Sequence, residues 1–257
     1  MKLDYITCSG TNEYTKIEGL LDLLSAYPLA EIGVQVSSEK CSFYSPRMAW
    51  INALSRAVKS HRQNIQAALH INLDWVEEIG QGNIVFALQY LLGLKNADDS
   101  YPLFQRIQLN FKINREKTPD VDKLASVINS LPDRRFILSY NESNAALIKL
   151  LYYRGVTFDC LFDSSFGQGL APEQLQEPVF SDTLHGYAGG ITPDNVQTIL
   201  NQIDDIYRHK DGLYNVYIDA QKGLEDENTH LDLQKCSTYL QNASQWYDNY
   251  LRNAGSI

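Results

Sequence analysis

Residues 187–196 read Tyr187-Ala188-Gly189-Gly190-Ile191-Thr192-Pro193-Asp194-Asn195-Val196, a short strand-like run that opens onto two glycines and then onto a helix start. Glycines at such a junction let a ligand approach the backbone closely, and the N–H groups of a helix's first turn carry positive partial charge that favours an anion. Thr192 suits an N-cap and Pro193 the first helical position, while Val196, Ile199, Leu200, Ile203 and Ile206 follow at helical spacing. The chemistry this points to is phosphate binding at Gly189 and Gly190. An ordinary tight turn is the competing reading, because glycine serves turns of every kind. A second strand-like run, residues 214–220, ends in Gln221-Lys222-Gly223-Leu224-Glu225, so a second strand end carries a glycine, Gly223, beside a lysine, Lys222, that can neutralise phosphate as a point charge.

Two such loops near the end of a chain have a place in one architecture. Apolar or β-branched runs recur at residues 3–7, 30–36, 65–71, 105–111, 135–140, 156–162, 182–188 and 214–220. Helical patterns occupy 13–26, 48–60, 84–94, 119–130, 143–152, 193–207 and 230–252; Met48, Ile51, Leu54 and Val58 share one face of the second. Strands alternating with helices imply a parallel sheet, and 257 residues suit one closed (β/α)₈ barrel. The expectation is therefore a single domain over 1–257, an α/β TIM barrel whose phosphate site lies in the loops after strands 7 and 8. The sixth unit is the exception, because 166–180 looks loop-like, with Gly167, Gly169, Pro172 and Pro178.

Composition excludes other classes. With 44% hydrophobic and 21% charged residues, the chain can bury a full core. No apolar run approaches the roughly 20 residues that span a bilayer, and the start, Met1-Lys2-Leu3-Asp4-Tyr5, lacks a signal peptide's apolar core, so a cytoplasmic protein without a membrane partner is expected. A net charge of −9 with dispersed basic residues argues against nucleic acid. Cys8, Cys41, Cys160 and Cys236 lack metal-type spacing, which favours reduced thiols and no metal site.

In this fold the C-terminal strand ends carry catalysis. Strand 1 ends at Cys8 and strand 6 at Asp163, and the loop after strand 2 carries Ser45-Pro46-Arg47. Each has a plainer reading. A lone cysteine is usually a small buried hydrophobe, and Arg47 can simply be solvated. His70 can line the site or be a satisfied core histidine, and Asp159, deeper in strand 6, reads as structural. Asp163 is a poor core residue unless something uses it.

Taken together, Ile6-Thr7-Cys8-Ser9-Gly10, Ser45-Pro46-Arg47, Ile107-Gln108-Leu109-Asn110, Leu161-Phe162-Asp163-Ser164, the 188–196 segment and Ile218-Asp219-Ala220-Gln221-Lys222-Gly223-Leu224-Glu225 resemble, in order, the motifs of phosphoribosylanthranilate isomerase. That is the (β/α)₈ enzyme of tryptophan biosynthesis. The resemblance implies an Amadori rearrangement of a phosphoribosyl amine, an aldose–ketose type isomerisation that needs no cofactor. It implies Cys8 as general base at the ribose C2 proton and Asp163 as general acid at the ring oxygen. It also implies Arg47, Gln108 and Asn110 as substrate contacts, with a phosphorylated small molecule as partner. The sequence departs from the family's Lys-Ile-Cys-Gly at strand 1, where Ile6, Thr7 and Ser9 stand. It departs again at strand 4, where Asn110-Phe111 replaces His-Gly, and at strand 8, where Gln221-Lys222 replaces a serine pair. Two alternatives stay open: another barrel enzyme acting on a phosphorylated sugar, and a phosphate-ligand-binding protein without turnover.

Overall fold

A computed structural model describes residues 1–111, 118–163, 174–210, 212 and 214–254. Its strands are β1 (Lys2–Thr11), β2 (Ala30–Val36), β3 (Gln66–Ile71), β4 (Arg106–Leu109), β5 (Arg135–Ser139), β6 (Asp159–Asp163), β7 (His185–Ala188) and β8 (Asn215–Ala220). All pair in parallel with their sequence neighbours, and β8 closes onto β1 to complete the barrel. Helices follow as α1 (Ile17–Ala26), α2 (Pro46–His61), α3 (Asp74–Gly80), α4 (Phe86–Gly93), α5 (Val121–Ser130), α6 (Ala145–Tyr153), α7 (Val196–Arg208) and α8 (Leu233–Ala254).

The expected (β/α)₈ barrel is thus the fold, and local chemistry explains its parts. Ser45 caps α2 by accepting from the Met48 N–H at 3.2 Å, Pro46 opens the helix, and Met48, Ile51, Leu54 and Val58 are fully buried against the sheet. One helix, α3, was not expected. Its short pattern buries Trp75, Val76 and Ile79 and lengthens the third crossover. Between β6 and β7, residues 174–180 carry no helix; Ser164, Gly167, Gly169 and Pro172 lie outside the described residues. No helix among the described residues is long and apolar enough to cross a membrane.

Strand alternation sorts side chains between two cores. One lies between sheet and helices; the other, inside the barrel, gathers Tyr5, Ala68, Ile137, Leu161, Leu184 and Tyr217. The inner core is not wholly apolar. Arg106, 1% exposed, donates to Glu31 at 2.8 Å and to Asp159 at 3.1 Å, and its guanidinium sits between the rings of Tyr5 and Tyr217, 4.4 and 4.1 Å from their centroids. Thr7 donates to Glu31, and Arg135 reaches Asp159 from the barrel's rim, so Asp159 is the structural residue that its depth in the strand suggested. Burial raises the Glu31 carboxyl pKa against the opposing pull of Arg106.

Breaking such a buried cluster at its centre leaves Glu31 without a counter-charge and Asp159 with Arg135 alone. Arg106→Leu should therefore lose about 3–5 kcal/mol in denaturant unfolding. The deficit should narrow at low pH, where protonation removes the stranded charge. A loss under about 1 kcal/mol would show that the cluster does not hold the barrel together.

Candidate functional site

At the C-terminal ends of the strands the barrel opens into a cavity of about 300 Å³. That is at the small end of the roughly 300–1,000 Å³ usual for small-molecule sites. Three groups of residues build it.

The first is the pair of glycine-bearing loops. Gly189 and Gly190 both have positive φ, 98° and 64°, so the chain turns there at little cost only because neither carries a side chain. Asn195 holds the turn: it accepts from the Thr192 N–H at 2.8 Å and donates to the Gly190 carbonyl at 2.8 Å. Because the Gly190–Ile191 peptide is trans, its N–H points opposite to that carbonyl. Thr192 does accept from the N–H of Asn195, as an N-cap residue would, but regular α7 begins only at Val196. The N–H of Thr192 is occupied and Pro193 has none, so neither of these positions offers an amide to an anion. The loop after β8, a 3₁₀ turn over Lys222–Leu224, packs directly against it: a Cβ on Gly223 would lie 2.2 Å from the Ile191 carbonyl oxygen. Lys222 is the only lysine or arginine lining the cavity among the described residues.

The second group is acidic. Asp163 and Asp219 both line the cavity, and the register Asp163–Ala188–Asp219 puts them level on either side of β7. Two strand spacings of about 4.8 Å separate their Cα atoms by roughly 10 Å. Ser9 donates to Asp219 at 2.5 Å, and burial, only partly offset by that bond, pushes the Asp219 pKa up to about 7. Here the structure corrects the strand 1 expectation. Tyr5, Thr7 and Ser9 face inward, so Cys8, one residue out of phase, faces α8 and packs with Cys236 in the outer core. Burial, and then the hydrogen bond with Cys236, pushes the Cys8 thiol well above its ordinary pKa, the opposite of a reactive thiolate. Arg47 is likewise not at the site. It is 6% exposed, paired with Glu13 and donating to the Gln35 carbonyl at 2.6 Å, and it does not line the cavity.

The third group is a wall of amides. Gln108 and Asn110 line the cavity with Gln35, Asn72 and Asn141, and Gln35 donates to Gln221 at 2.8 Å. His70 lines it too, held neutral by burial and by the nearby Arg106 charge, which lower its pKa to about 3. Of the cavity's residues, Asp219, Ser9's partner, and the amides Gln35 and Asn72 were not singled out as candidates. The period-two alternation of each strand, counted from Tyr5 or Asp159, is the signal that finds Ser9 and Asp163 on the inner face. Among the described residues no three or more His, Cys, Asp and Glu side chains group to hold a metal ion.

No family model and no curated protein matches the chain. Among solved structures it is similar in fold to a phosphoribosyl anthranilate isomerase from Thermus thermophilus, at 14% identity and a TM-score of 0.55 over 95% of this chain and 99% of that one. It is similar also to TrpF from Jonesia denitrificans, at 17% identity and 0.54 over 95% and 98%. A glycoside hydrolase family 30 xylanase from Clostridium acetobutylicum reaches 0.54 at 11% identity, over 95% of this chain and 71% of that one. Likeness at these identities is likeness of fold, which different chemistries share.

The outward position of Cys8 has a direct consequence. Cys8→Ala should cost about 1–2 kcal/mol of stability through lost packing against α8 and leave ligand binding at the cavity unchanged. A Cys8→Ala protein of normal stability that no longer binds ligand would put the thiol back at the mouth.

Proposed function

We propose that the chain is an isomerase of a phosphorylated sugar or glycosylamine, working by proton transfer between two carboxylates. The observation that carries this is the presence of Asp163 and Asp219 in one cavity with two interlocked glycine loops and a lysine. The phosphoryl group is held by loop amides around Gly189, Gly190 and Gly223 with Lys222 as counter-charge. Asp219 takes the C2 proton as the base, in place of the cysteine that the sequence resemblance implied, and Asp163 delivers a proton to the ring or carbonyl oxygen. The C2–H electron pair becomes the C1=C2 double bond of an enol. Asp219 then returns its proton to C1 while Asp163 recovers one from the C2 oxygen, so no oxidant or cofactor enters. The Amadori rearrangement is one member of this class. A pKa near 7 suits the base, since a general base works best when half of it is free at the working pH. Ser9 holds one Asp219 oxygen and leaves the other for the substrate.

Inorganic phosphate should raise the melting temperature of the wild type, by mass action on the folded state. Gly223→Ala, which forces the loops apart, and Lys222→Ala should each weaken that protection. Protection untouched by both would place the anion elsewhere.

Turnover is to be measured with phosphoribosylanthranilate and with simple aldose phosphates. Asp219→Asn and Asp163→Asn should each lose about 10²- to 10⁴-fold while phosphate protection stays nearly constant. In the wild type kcat/KM should fall about tenfold per pH unit below about 7, as Asp219 gains its proton. Because the folded state holds that proton more tightly than the unfolded chain, stability should decline as pH rises from about 4 to about 7. Asp219→Asn should remove the decline. Phosphate binding with no turnover of any such substrate would favour a binding protein, and full activity in Asp219→Asn would end this mechanism.

A further inference from the structure

The amide wall has a direction, and the direction selects what can face it. Asn72 donates through Nδ2 to the backbone carbonyl of His70 at 3.1 Å. A carbonyl can only accept, so this bond fixes which way the Asn72 amide points. Its Oδ1 then accepts from Asn110 Nδ2 at 2.8 Å, and Asn110 Oδ1 in turn accepts from Gln108 Nε2 at 2.9 Å. Three amides are thus locked in one sense from a single backbone anchor, and the relay ends at Gln108 Oε1. That oxygen is buried and has no hydrogen-bond partner among the described residues, on a side chain only 6% exposed that lines the cavity. Beside it on β3, His70 Nε2 is also buried without a partner, on a ring 3% exposed. Buried polar atoms left unpaired are costly, so both call for a ligand group.

We infer, on the premise of the phosphorylated substrate above, that the end of the substrate away from the phosphoryl group is a hydroxyl-bearing chain without a carboxylate, read by Gln108 Oε1 and His70 Nε2. A hydroxyl donates to the Gln108 oxygen, and since it can donate or accept it satisfies His70 in either tautomer. A carboxylate only accepts. It would meet the Gln108 oxygen, acceptor against acceptor, while the only lysine or arginine lining the cavity among the described residues, Lys222, belongs to the opposite, glycine-loop side. Arg47, which could have served such a group, is committed to Glu13 and to the Gln35 carbonyl.

Calorimetric titration of the wild type with inorganic phosphate, ribose 5-phosphate and 3-phosphoglycerate tests this. Ribose 5-phosphate should bind at least about tenfold more tightly than phosphate, and 3-phosphoglycerate no more tightly than phosphate. Gln108→Met should erase the ribose advantage and leave phosphate affinity unchanged, the latter showing that the cavity is intact. If that variant does not fold, the wild-type comparison decides alone. Tighter binding of 3-phosphoglycerate than of ribose 5-phosphate overturns the inference, as does an undiminished ribose advantage in a folded Gln108→Met. If none of the three binds, the anion site fails, and ribitol becomes the probe. Ribitol binding that Gln108→Met abolishes would uphold the wall without the phosphate site, and no ribitol binding would overturn both.

Discussion

A guanidinium buried at the centre of a barrel must be neutralised where it stands, because moving an unpaired charge out of water costs far more than any fold can spare. Arg106 is in that position, and Glu31 from β2 and Asp159 from β6 meet it there, drawing together strands on opposite sides of the sheet. The consequences run upward. Tyr5 and Tyr217 are level on neighbouring strands so that their rings can flank the cation. With that register set, Thr7 and Asp219 are level one step higher, and Ser9 comes within reach of the Asp219 carboxylate. The same positive charge helps to keep His70 neutral. A polar plug in the lower barrel thus determines which groups, in which ionisation state, form the floor of the cavity.

The fold was largely legible from the chain because its signals are repetitive. Eight apolar runs separated by amphipathic stretches admit few arrangements, and Met48, Ile51, Leu54 and Val58 are buried as their spacing requires. The short helix α3 escaped notice because seven residues hold too little periodicity to stand out from a loop. The site was less legible, and the failures are instructive. Cys8 and Ser9 are adjacent, yet one belongs to the outer core and the other to the cavity. Both faces of a barrel strand are buried, so hydrophobicity does not announce the phase, and a motif matched one residue out of step carries the wrong side chain inward. Arg47 illustrates a different limit, since Glu13 claims it from a distant loop that no local pattern connects to it.

The cavity separates two recognition tasks by chemistry. On the side of β7 and β8, the interlocked loops offer backbone, one lysine and very little side-chain bulk. On the side of β2 to β5 side chains line the wall, and most are uncharged amides. Between them stand the carboxylates. A ligand of the proposed class would draw its affinity for charge from one end and its discrimination from the other.

The directed relay from His70 to Gln108 also bears on how this pocket could change over generations. Its members are not independent letters. Replacing Asn110 alone breaks contact with both neighbours, and turning Gln108 around requires every amide behind it to turn, against a carbonyl that cannot. New specificity on this wall is therefore expected to arrive through linked replacements at 72, 108 and 110, so the history of these positions should be read as one inherited word.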